Sequence, residues 1–147
     1  MTKPSRFIFL VALFALVAPF FSVSPACGQT RLSDKDLEQR IKNLNEDIKK
    51  FRSSFNSSVS KTSIRKTTQE KDAKNLVTNF QQQSNSLYQT FKKSKKGDPY
   101  LQNCLDSATQ IDKLLQSTQF DSNTTSQWAK IKPQLNDLAV AFHLPGH

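Results

Sequence analysis

Apolar residues recur along this chain at helical spacing. Leu37, Ile41, Leu44, Ile48, Phe51 and Phe55 follow one another at steps of 4, 3, 4, 3 and 4, with Lys, Asn, Glu and Asp between them. Such a run is one stripe on a helix and predicts a first helix over 34–57. Ser33 suits its N-cap, and Asp34 and Asp36 suit its first turn. Ala73, Val77, Phe80, Leu87 and Phe91, with Leu76 and Tyr88 beside them, form a second stripe over 68–96, interrupted at the polar Ser84. Leu101, Cys104, Leu105, Ala108, Ile111 and Leu115 form a third stripe that ends near Ser117. Trp128, Ile131, Leu135, Leu138 and Phe142 form a fourth, with Pro133 inside it as an expected kink.

The connections carry their own signals. Residues 56–67 are polar and read equally as a loop or a frayed helix end. Thr67 with Glu70, and Thr124 with Gln127, have capping-box spacing. Lys92, Lys93, Lys95 and Lys96 crowd the end of the second helix and are followed by Gly97, Asp98 and Pro99. Gly97 fits a left-handed C′ position, Asp98 an N-cap and Pro99 the first helical residue after it. Phe120 is expected to fold back from its loop as a core plug. Stripes this narrow are stable only when they meet. The expected fold is therefore all-α, an antiparallel up-down-up-down four-helix bundle over residues 29–147.

The first 28 residues read differently. Lys3 and Arg6 precede an uncharged apolar run from Phe7 to Val23, and Ser24, Pro25, Ala26, Cys27 and Gly28 follow. That order is a secretory signal peptide, so the protein is expected to be secreted or periplasmic. Cleavage falls after Gly28 or after Ala26. The second cut places Cys27 first, where a bacterial lipoprotein signal would lipidate it, although Ser24 stands where an aliphatic residue is usual. An uncleaved N-terminal anchor is a further alternative, at the short limit for a span. Cys104 reads as a small buried helical residue, or as a thiol available for pairing.

Charge and chemistry narrow the function. The 147 residues hold 21 Lys+Arg and 12 Asp+Glu, a net charge of +9. Two cysteines exclude a disulfide-dense scaffold and a zinc finger or ribbon. Without Glu-x-x-His there is no carboxylate di-iron bundle, and without Cys-x-x-Cys-His no covalent haem. His143 and His147 are four apart, but Pro145 and Gly146 interrupt them. No cofactor, metal or catalytic set is expected, and no enzyme activity; a bundle that carries a small molecule or cofactor in its interior is the alternative, with Ser84 and Cys104 as the soft spots in the stripes. Asp34, Asp36, Glu38, Glu46 and Asp47 read as a solvated face of the first helix. Asn56-Ser57-Ser58 and Asn123-Thr124-Thr125 fit the glycosylation acceptor pattern, which matters in a eukaryotic host.

Lys92, Lys93, Lys95 and Lys96 are the candidate polyanion-binding residues. With Lys61, Arg65, Lys66, Lys71 and Lys74 they make the second helix basic at both ends. Such a surface suits an anionic envelope component or an acidic protein partner. No aromatic residues interleave with the lysines, so no specific nucleic-acid partner is expected.

The stretch from Trp128 through Ile131, Leu135 and Leu138-Ala139-Val-Ala141-Phe142 resembles the closing helix of small secreted bacterial helical-bundle proteins. The likeness spans residues 128–142 together with the layout of a signal peptide and four helices. It implies an exported location and a bundle fold, and no activity.

Overall fold

The computed structural model describes residues 32–144 and 146. The signal segment, its cleavage sites, Cys27 and His147 lie outside the described residues. Four helices and no strand are found among the described residues: α1 (Asp34–Val59), α2 (Thr68–Ser94), α3 (Asp98–Ser117) and α4 (Ser122–Ala141). α1 packs on α2 and α4, α2 packs on α3, and α3 touches α4 more lightly. The diagonal pairs α1/α3 and α2/α4 make no comparable approach. Each helix thus presents its stripe to a shared centre.

The stripes form one connected core. Ile41, Leu44, Ile48, Phe51 and Phe55 of α1 are fully buried against Val77, Phe80 and Leu87 of α2 and Ile131 and Leu135 of α4. Trp128 lies at the aromatic centre, 5.1 Å from Phe51 and 5.8 Å from Phe80 between ring centroids. Phe120 does fold back, stacking on Phe55 at 5.0 Å. α4 stays helical through Pro133.

The core is less purely apolar than its stripes suggest. Ser84, the polar step in α2, is fully buried and donates its hydroxyl to Asn45 Oδ1 of α1 at 3.2 Å. Asn45 is itself buried. The pair satisfies two polar groups whose unpaired burial would cost about 1–3 kcal/mol each. It also fixes the register of α1 against α2, since sliding either helix by one turn would strand both groups.

Several caps differ from their sequence assignments. The left-handed residue ending α2 is Lys95 (φ 56°), and Gly97 instead precedes α3 as its N-cap. Asp98 and Pro99 are the first two residues of α3. The reason is space: a Cβ on Gly97 would lie 2.5 Å from Leu87 Cδ1, so the glycine is spent on close packing and the lysine makes the turn. At α2's start, Thr67 makes no side-chain cap; Glu70 reaches one residue further back and accepts from the Lys66 N–H at 2.6 Å. α4 is capped by Asp121, which accepts from the Thr124 N–H at 2.8 Å, while Thr124 itself is buried.

Candidate functional site

The four lysines follow from how α2 stops. Lys92 and Lys93 occupy its last turn, where cations oppose the partial negative charge of the exposed carbonyls. Lys95 closes the helix, its N–H donating to Phe91 O at 2.8 Å. A left-handed lysine costs about 1–2 kcal/mol. Two contacts oppose that cost. The Lys95 ammonium donates to Glu38 Oε2 of α1 at 2.7 Å and stands 5.3 Å from the centre of the Phe91 ring. Lys95, with Lys92 nearby, holds the Glu38 carboxyl below the ordinary glutamate range.

The four lysines therefore do not act alike. Lys95 is committed to Glu38, whereas Lys92, Lys93 and Lys96 are exposed and form no ion pair among the described residues. Lys95 also lines a cleft of about 480 Å³ where the start of α1, the end of α2 and the end of α4 converge. Leu37, Phe91, Val140 and Phe142 give it an apolar floor; Phe91 and Phe142 meet edge-on at 5.8 Å. Asp34, Lys95, Asp137 and His143 stand at its rim. Asp137 is bonded to Arg40 at 3.2 Å. Val140 is 61% exposed, the one large apolar side chain so open among the described residues. Two of the three left-handed non-glycine residues in the described chain, Lys95 and His143, line this cleft.

The remaining candidates resolve into structural roles. The acids of α1 are not uniformly solvated: Glu38 is paired as above, and Asp47 accepts from Lys50 and from Gln134 of α4. Partial burial pushes the Asp47 carboxyl up, but Gln134 and Lys50 outweigh it and leave it below its usual range. A polar groove of about 370 Å³ between α1 and α4 contains this group. Burial pushes the Cys104 thiol up to about 12, so it stays protonated and unreactive at neutral pH. His143 sits beyond the end of α4. No group of His, Cys, Asp and Glu arranged to hold a metal occurs among the described residues, and no described helix is long and apolar enough to cross a membrane.

Sequence reading passed over three contributors. Asp112 of α3 accepts from Trp128 Nε1 and from the Lys132 ammonium, both at 2.6 Å, and clamps α3 to α4. A buried indole needs an acceptor, so a partner for Trp128 could have been sought. Glu38 lies 57 residues from Lys95, and no local pattern links them. Val140 falls outside its stripe and was legible as an exposed valine. No known protein family, curated protein or solved structure matches the chain.

Proposed function

We propose that this chain is a non-catalytic, exported up-down-up-down helical bundle that holds an anionic envelope component, or an acidic partner, on the surface formed by Lys92, Lys93, Lys95 and Lys96. The observation that carries the reading is the grouping of exposed Lys92, Lys93 and Lys96, without ion pairs among the described residues, at one end of the bundle. Alternating helix direction is supported by ties between opposite termini. Glu38 near the start of α1 meets Lys95 at the end of α2, and Ser54 near the end of α1 meets Asn123 at the start of α4. A non-catalytic role is supported by the pairing of the buried Ser84 and Asn45, which ties α1 to α2. Export rests on the signal segment at residues 1–28 and on the likeness of the last helix to small secreted bacterial bundles.

Retention on a heparin column tests the binding surface. Replacing Lys92, Lys93, Lys95 and Lys96 by Gln should move elution to clearly lower salt, because each lost phosphate- or sulfate-type contact flattens the salt dependence by about one counterion. Unchanged elution would refute the reading. The intact mass of the exported protein fixes its N-terminus: a free Gln29 excludes a lipid on Cys27.

A further inference from the structure

We infer that the end of the bundle carrying Lys92, Lys93 and Lys96 and the Val140 cleft is a docking face for an anionic lipid bilayer. The inference rests on the proposed function and names the anionic component. A bilayer offers two things together, negative headgroups and hydrocarbon just beneath them. This end offers the complement of both. Exposed Lys92, Lys93 and Lys96 flank Lys95 in the chain, and Lys95 lines a cleft together with Val140, which is 61% exposed, and with Leu37, Phe91 and Phe142. A nucleic acid would use exposed rings between the cations. Here Phe91 is buried and Tyr88 and Phe142 are half-buried, so the one exposed large apolar side chain among the described residues is the aliphatic Val140.

The chain's entry supports the same face. Leu32, the first described residue, lines this cleft. Cys27 precedes it by five residues, which reach at most about 18 Å when extended. A lipid on Cys27, or a retained segment from Phe7 to Val23, would hold this end of the bundle against the membrane rather than the other. The opposite end is basic too, through Lys61, Arg65 and Lys66. Its groove contains Phe120 beside Ser58, Lys61, Thr62 and Asp121, but Phe120 is only 9% exposed, and this end carries no exposed large apolar side chain among the described residues. Asp34 and Asp98 stand at the docking end and weaken the attraction.

The test is co-sedimentation of the processed, exported protein with vesicles of about 30% phosphatidylglycerol in phosphatidylcholine, against phosphatidylcholine alone. Binding should be at least about tenfold tighter to the anionic vesicles. Each surface lysine contributes about a fivefold factor, so joint replacement of Lys92, Lys93 and Lys96 by Gln should cost about a hundredfold. Asp34→Asn should strengthen binding, Val140→Ser should weaken it, and joint replacement of Lys61, Arg65 and Lys66 by Gln should leave it within about twofold. All these side chains are exposed, and circular dichroism checks that each variant folds. Equal losses from the two triple variants, or no preference for phosphatidylglycerol, would overturn the inference. If vesicles are ignored while heparin retention still depends on Lys92, Lys93 and Lys96, the bilayer is wrong and the proposed function stands. If neither probe responds to these lysines, both fail.

Discussion

The two ends of the bundle carry similar cations but finish their cores in opposite ways. At the α1–α2 and α3–α4 connections, loop residues turn inward. Ile64 and Phe120 are 7% and 9% exposed and seal the hydrocarbon. Backbone groups there are met by side chains: the Asp121 N–H donates to Ser58 Oγ at 3.1 Å, and the Lys66 N–H donates to Glu70 Oε2 at 2.6 Å. At the α2–α3 turn only Lys95, Lys96 and Gly97 link the helices, and none of them is an apolar side chain that could serve as a plug. Gly97 is pressed against Leu87, and Val140 and the cleft that Lys95 lines stay open. Similar formal charge thus yields different surfaces, because one end has apolar loop residues, Ile64 and Phe120, to cover its rim and the α2–α3 turn has none.

The sealed end can be broken most severely. Phe55 is fully buried and contacts both Phe51, at 5.8 Å, and Phe120. Phe55→Ala should lose about 3–5 kcal/mol in urea unfolding, removing both a ring and the seat of the plug. The tight end is next. Gly97→Ala should lose about 1–3 kcal/mol, since the new methyl collides with the buried Leu87 side chain. A neutral result there would mean that the turn has room to relax.

The smallest effect concerns the α4 cap. Asp121→Ala should cost about 1 kcal/mol. The Thr124 backbone N–H, then hydroxyl contacts, hold the Asp121 carboxyl below the ordinary aspartate range. The folded chain therefore releases this proton more readily than the unfolded chain. Its stabilisation is complete above the ordinary aspartate value and is lost as pH falls through the folded one. Glu38 and Glu70, one at each end, are held low by Lys95 and Lys74 and act in the same direction. The melting temperature should fall below about pH 4, and less steeply for Asp121→Asn. Identical acid profiles would contradict the cap assignment.

Helix number and core stripes were legible because side chains three and four apart share a face, a rule that needs only local sequence. Which residue caps a helix was not, where a second demand competes. Gly97 looked like the left-handed residue, but contact with Leu87, settled only when α2 and α3 pack, gives that role to Lys95. The spacing of Thr124 and Gln127 pointed to Thr124 as a cap, but Thr124 is buried inside the first turn and Asp121 takes the role. Ser84 looked like a weak point because its partner Asn45 is 39 residues away. The candidate site was half legible. Four lysines were visible, but their division into one bound to Glu38 and three left unpaired depends on α1 lying alongside α2, as does the cleft next to them.

Amide NMR during titration with a heparin oligosaccharide tests the claim that one end of the bundle is the working surface. Perturbations should concentrate at Lys92, Lys93, Lys95 and Lys96 and spread to the start of α1 and to Val140, leaving Lys61, Arg65 and Lys66 nearly still. Equal perturbation at both ends, or shifts confined to the Lys61–Lys66 loop, would contradict it.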